Sequence, residues 1–179
     1  MTSQHTAEQL WDAHWASAVG NISSSAIREL LKVIEQPGVI SFAGGLPAPE
    51  CFPAEEIGLA AERVLAREAG RVLQYGPTEG FPPLRDFLAD LMRGRGLPVG
   101  LGNLLVTNGS QQALDMIAKL LVDPGDLVVV EDPTYVGALQ AFRPYQPTFA
   151  TLPIDDQGLR VDALERLLAE GRRPKFLYT

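Results

Sequence analysis

Asp123-Pro124-Gly125-Asp126-Leu127-Val128-Val129-Val130-Glu131-Asp132-Pro133-Thr134-Tyr135 is the stretch whose reading decides the fold. Pro124-Gly125 turns the chain, and Leu127 to Val130 follow as an unbroken apolar run. A strand with one wet face alternates apolar and polar residues. A run without alternation belongs to a strand buried on both faces, as in a parallel sheet covered by helices. The flanks agree. Upstream, Asn103 to Thr107 reads as a strand and Ser110 to Val122 as a helix with Ala113, Leu114, Ile117, Ala118 and Leu121 on one face. Downstream come a helix near Thr134 to Phe142, a strand near Thr148 to Pro153, a helix from Ala163 to Glu170 and a strand at Lys175 to Thr179. Asp162 and Glu165 stand at capping-box spacing at the start of that last helix. Strand and helix in alternation predict an α/β fold with a mainly parallel sheet.

Before residue 103 the pattern is helical. A short helix is expected around Glu8 to Ala16. A clearer one follows, because Ile27, Leu30, Leu31 and Ile34 recur at i, i+3, i+4 and i+7, with serines 23 to 25 as cap candidates and Gln36-Pro37-Gly38 as a stop. Val39 to Phe42 reads as a short strand entering the loop Ala43-Gly44-Gly45-Leu46-Pro47-Ala48-Pro49. Pro53 opens a helix with Ile57, Ala60, Ala61, Val64 and Leu65 on one stripe. Beyond the loop Gln74 to Gly80 a second stripe comprises Leu84, Phe87, Leu88, Leu91 and Met92.

Composition narrows the function classes. The 179 residues are 46% hydrophobic and 21% charged, an ordinary globular balance. A net charge of −7 and a pI near 4.8 argue against binding to nucleic acid or an anionic membrane surface, either of which needs positive excess. The single cysteine, Cys51, excludes an internal disulfide framework. With His5 and His14 as the only histidines, a Cys/His zinc site has too few ligands. No apolar run approaches the roughly 20 residues that span a bilayer, and the first dozen residues lack a secretory pattern. The expectation is a cytoplasmic protein with no metal, no membrane and no nucleic-acid partner.

The local feature richest in chemistry is Val106-Thr107-Asn108-Gly109-Ser110-Gln111-Gln112-Ala113. A strand ends, a glycine turns the backbone, and a helix starts beside a hydroxyl. Open amides and the positive end of the helix dipole then face one point, which suits a phosphate. A plain turn with Ser110 as N-cap explains the same residues. Gly94-Arg95-Gly96 and Gly100-Leu101-Gly102 follow a helix and lack dinucleotide-binding spacing, and no P-loop is present. Tyr135 lies beyond the carboxyl end of the apolar strand, where open α/β sheets bind ligands. It is placed either to stack on a flat ring or to cover the start of the next helix. Gly44-Gly45 and Tyr75 sit in loops rich in Gly, Pro and aromatics, and Arg28 lies on a helix between apolar neighbours, where a solvated arginine is the simpler reading.

Taken in order, Ser25 to Leu31, Ile40 to Glu50, Leu73 to Gly80, Gly109 to Asp115 and Glu131 to Tyr135 resemble the N-terminal part of fold-type I, pyridoxal-phosphate-dependent aminotransferases of class I/II. The resemblance is nearest to the 2-aminoadipate aminotransferase group of bacterial lysine biosynthesis and the related kynurenine/aminoadipate aminotransferases. It implies a three-layer α/β/α sheet domain, incomplete here, with residues 1–50 as N-terminal arm, helix and substrate loop and residues 51–179 as the first part of the cofactor-binding large domain. It implies that Gly109, Ser110 and Gln111 cradle the phosphate of pyridoxal 5′-phosphate and that Tyr135 stacks on the pyridine ring. Tyr75 would reach the phosphate in a neighbouring subunit, making a homodimer with shared sites. Gly45 would contact the substrate α-carboxylate, and Arg28, with Ser25 nearby, would recognise an acidic side chain through its planar fork. The family's Schiff-base lysine is expected beyond Thr179, since Lys32, Lys119 and Lys175 are in other contexts, so no catalytic residue is assigned in this segment and the chain alone is expected to be inactive. The expected function is amino transfer between an amino acid, such as 2-aminoadipate or glutamate, and a 2-oxo acid. The alternatives are another fold-type I reaction (lyase or decarboxylase) and an aminotransferase-like effector domain of a regulator.

Overall fold

Val128, Val129 and Val130 are each 1% exposed or less, and the run that holds them is the central strand of a four-stranded sheet. In the computed structural model, which describes residues 14–22, 38–39 and 45–179, the strands are β1 (Leu127–Asp132), β2 (Thr148–Asp155), β3 (Gly158–Leu159) and β4 (Phe176–Tyr178). Their order is β3-β2-β1-β4, with β1 parallel to both β2 and β4 and the short β3 turned back antiparallel on β2. The register sets Val129 between Ala150 and Leu177. The helices are α1 (Ala54–Val72), α2 (Pro82–Gly94), α3 (Gly109–Leu121), α4 (Val136–Phe142) and α5 (Val161–Ala169).

Successive side chains of a strand point to opposite faces, and both faces of β1 are covered. Val128 and Val130 pack with Leu114, Ala118 and Val122 from α3 and its end, and with Ala138, Ala141 and Phe142 of α4. Val129 faces the other way, onto a cluster with Ala150, Leu152 and Leu167 of α5. This is the three-layer α/β/α arrangement. With seven residues, α4 is too short to be stable alone, so packing holds it. Gly137, Ala138 and Ala141 keep its inner face small, and Phe142 fills the end, meeting Phe176 and Tyr178 edge-on at ring separations of 5.3 and 5.9 Å.

The chain divides into two units, residues 45–108 and residues 109–179 with 1–44. In the first unit α1 and α2 form where the apolar stripes predict them, but none of α1 is buried and Ile57 is 61% exposed. Helical spacing makes a stripe; burial needs a surface to meet it, and this unit supplies little. Ala89 of α2 is fully buried, while Leu84, Phe87 and Leu91 of the expected stripe are exposed.

Two further expectations change. Residues 104–107 follow a 3-10 turn at Leu101–Asn103 and form no strand among the described residues. The Val106 amide instead donates to the Glu79 carbonyl at 3.0 Å; an apolar run becomes a strand only when a neighbour takes its backbone groups. At α5 the N-cap is Arg160, and Asp162 makes no capping box. Its carboxylate accepts from Arg160 Nε and Nη2 and from Arg166 Nη1, each at 2.8 Å, because a guanidinium fork outcompetes a single backbone amide. Of the N-terminal elements, the helix from Ile27 to Ile34 and most of those at Glu8–Ala16 and Val39–Phe42 lie outside the described residues; Ser17–Asn21 is a 3-10 turn.

Phe142→Ala should cost about 3–5 kcal/mol through the cavity it leaves, measured as a lowered urea midpoint. A second expectation concerns acid. Hydrogen bonds from Arg160, then from Arg166, hold the Asp162 carboxyl at about 2, below its ordinary 3.8. A carboxyl depressed by folding adds stability above its unfolded pKa and loses it as pH falls through the folded one. Asp162→Asn should therefore flatten the fall of Tm between about pH 4 and about pH 2.

Candidate functional site

The chain leaves the carboxyl end of β1 through Glu131-Asp132-Pro133-Thr134-Tyr135, with a cis peptide at Asp132-Pro133, and enters α4 at Val136. Two helix starts meet at this rim. The Gln111 side chain, in the first turn of α3, donates from Nε2 to the carbonyl oxygen of Gly137, in the first turn of α4, at 3.1 Å. Topology explains the meeting. α3 hands the chain to the start of β1, so its own N-terminus lies toward the opposite end, where β1 delivers the chain to α4.

Gly109 begins α3 at φ +75°, a conformation that costs an L side chain strain, and its Cα faces open space. The helix starts at Gly109, so Ser110 stands inside the first turn rather than at the N-cap. Ser110 and Gln111 are exposed, and their amides precede the first intrahelical hydrogen bond. The rim therefore offers two first-turn amides without an intrahelical acceptor, a hydroxyl and the positive end of a thirteen-residue helix, a donor set that fits a phosphate.

Tyr135 is the N-cap of α4 in extended conformation, half exposed, with its ring lying across Gly137. Of its two sequence readings the ring satisfies one directly, covering the helix start, while its remaining surface stays open. The hydroxyl oxygen of neighbouring Thr134 is buried and meets no hydrogen-bond partner, an unspent polar group at a rim already rich in them. Behind the site, the Tyr145 hydroxyl donates to Asp115 Oδ1 at 2.9 Å and braces α3 from its outer side; burial, then the Asp115 carboxylate, raises the phenol's pKa.

The structure thus gathers Gly109, Ser110, Gln111 and Tyr135. Gly45 and Tyr75 belong to the other unit, Gly45 in an exposed turn and Tyr75 wholly exposed. Ser25 and Arg28 lie outside the described residues. Gly137 was missed in the sequence, although a glycine inside a predicted helix, two residues after an aromatic, was a visible signal. Among the described residues no group of three His, Cys, Asp or Glu could hold a metal ion, and no helix is long and apolar enough to cross a membrane.

Neither described lysine reaches this rim. Lys119 lies ten residues into α3 from Gly109, about 15 Å along its axis. Lys175 is at the opposite end of the strands: its amide donates to the Leu127 carbonyl at 2.8 Å and its Nζ pairs with Asp126 at 3.2 Å. The length of β1 separates that end from Asp132 by about 17 Å.

The model of the family "Aminotransferase class I and II" matches residues 39–179. The chain belongs to that family. Among relatives of these aminotransferases, it is 50% identical over 169 residues to the 2-aminoadipate transaminase of Thermus thermophilus, covering 94% of this chain and 41% of that protein. It is 48% identical over 174 residues to aromatic-amino-acid aminotransferase 1 of Thermococcus litoralis, covering 94% and 42%. Among solved structures, the alpha-aminoadipate aminotransferase of Thermus thermophilus, complexed with N-(5′-phosphopyridoxyl)-L-leucine, superposes with a TM-score of 0.82 at 47% identity over 94% of this chain and 40% of that one. The kynurenine aminotransferase of Pyrococcus horikoshii, in complex with PMP, gives 0.83 at 41% identity over 94% and 43%. The chain spans about two fifths of the length of the curated aminotransferases it matches.

Because the strain at residue 109 is set by φ, substitutions there should rank by tolerance of the left-handed region. Gly109→Val is expected to cost about 1–2 kcal/mol, and Gly109→Asn distinctly less, by comparison of their thermal unfolding.

Proposed function

We propose that this chain forms part of a pyridoxal-phosphate-dependent aminotransferase that moves an amino group between an amino acid and a 2-oxo acid. The observation that carries the reading is the Gln111–Gly137 hydrogen bond, which joins the α3 amides and the Tyr135 ring at one end of β1. A phosphate donor set beside a half-open aromatic face suits a phosphorylated aromatic cofactor, and the family match agrees. When bound, pyridoxal phosphate supplies the electron sink for breaking a bond at the substrate Cα.

The chain's own residues then have the following parts. The Ser110 and Gln111 amides and the Ser110 hydroxyl hold the phosphate, with Gly109 letting the backbone turn toward it. Tyr135 covers one face of the ring and keeps water from it. Gly45, open on its Cα side, offers its backbone to the substrate α-carboxylate, and Arg28, with Ser25, binds an acidic side chain such as that of 2-aminoadipate or glutamate. Tyr75, 100% exposed, would reach the phosphate site of a second subunit in a homodimer with shared sites. A cytoplasmic place in lysine biosynthesis accords with the similarity to a 2-aminoadipate transaminase. Residues 1–50 would serve as arm, helix and substrate loop, and 51–179 as the opening part of the cofactor-binding domain.

Chemistry at Cα also needs a proton carrier. The resemblance implies that a Schiff-base lysine beyond Thr179 would be that carrier, and Lys119 and Lys175 stand remote from the rim.

In the full polypeptide, Ser110→Ala should weaken pyridoxal phosphate binding about ten- to a hundredfold, the loss of one hydrogen bond to a charged group, as read by equilibrium dialysis. Residues 1–179 alone should transfer no amino group above the free-cofactor background. Transfer by the isolated chain that survives replacement of Lys32, Lys119 and Lys175 together would refute the lysine assignment. Failure of the full polypeptide to bind pyridoxal phosphate at all would refute the function.

A further inference from the structure

Gly137 occupies the second position of α4 in ordinary helical surroundings, with no positive φ to require glycine. It is buried, and helix propensity there favours alanine. The space around it is what alanine cannot share. A Cβ built on Gly137 would fall against the Tyr135 ring, 2.5 Å from Cε1 and 2.6 Å from the hydroxyl oxygen, with Cζ also in collision. The ring's outer edge rests on bare backbone. The same residue's carbonyl receives the Gln111 side chain, so the surface under the ring is tied to the first turn of α3.

We infer that Gly137 is a positioning residue: its missing side chain seats the Tyr135 ring, and the Gln111 bond to its carbonyl fixes that seat relative to the α3 amides. Given the cofactor site proposed above, on which this rests, the ring's height over a bound pyridine is then set by the backbone of α4. A methyl group at 137 lifts the ring, since the colliding atoms are the far end of a side chain that can rotate away. The helix itself keeps its dihedrals and its packing against Val128 and Val130.

The test uses the full polypeptide in four forms, wild type, Gly137→Ala, Tyr135→Ala and the double variant, and two readouts. One is the affinity of each apo-protein for pyridoxal phosphate; the other is the Tm of the apo-protein. Gly137→Ala is expected to weaken the cofactor about tenfold, the scale of one aromatic contact, with a Tm equal to or above wild type. In the Tyr135→Ala background the same change should have no further effect, because the ring it acts through is gone. Unchanged affinity in Gly137→Ala, or effects of the two substitutions that multiply, would overturn the assignment. A lowered apo Tm with an equal affinity loss in both backgrounds would also overturn it, by showing a merely structural role. Wild type without cofactor affinity would instead bring down the function on which the assignment stands.

Discussion

Burial of Val128, Val129 and Val130 on both faces of β1 is the constraint from which the rest follows. Valines pointing to opposite sides cannot be covered by one layer, so α3 and α4 must close one face and α5 the other. The strand's amides and carbonyls are equally committed, to β2 on one side and β4 on the other. Parallel pairing then requires each helix to carry the chain back along the sheet. The positive end of α3 and the exit from β1 consequently share one rim, and the proximity of the candidate site residues there is a by-product of how the core is closed.

That rim is shaped by small residues as much as by polar ones. Gly109 lets the backbone turn into α3; Gly137 gives the aromatic ring a place to lie. Between them, the Gln111 side chain donates to a carbonyl of the other helix and ties the two helix starts together. The opposite end of the strands is occupied differently. There Asp126 accepts a backbone hydrogen bond from Asp123 and pairs with Lys175, and the two together lower its pKa, the Asp123 amide first.

Much of this is legible in the amino-acid sequence. The unalternating run at 127–130 announced a strand covered twice, and α3 formed where its apolar stripe predicts a helix, with Leu114 and Ala118 buried against the sheet and Ile117 and Leu121 left exposed. The same rule misjudged Asn103 to Thr107, since periodicity reports what a segment can bury and not whether a partner strand stands beside it. It read Asp162 and Glu165 as a cap for a related reason: spacing shows which groups can meet, while the nearby Arg160 and Arg166 decide which do. In the site, the hydroxyl, amide and aromatic residues were all visible by type. Gly137 showed only as a glycine inside a predicted helix; its contribution is an absence of atoms, and what that space is for becomes clear only when a ring is found in it.

The sheet order carries one more consequence, for the way the chain is made. β1 lies beside β2, which follows it closely, but its other edge is completed by β4, whose Phe176 pairs with Val128. Translation proceeds from the N-terminus at about 5–20 residues per second, so β1 and β2 emerge with one flank of the central strand still open. During that interval its most apolar residues border an unfinished edge, the kind of surface that recruits stray strands. Nascent-chain association should therefore be greatest for stalled chains that have exposed β2 and not yet β4, making the order of the sheet a schedule of vulnerability on the ribosome.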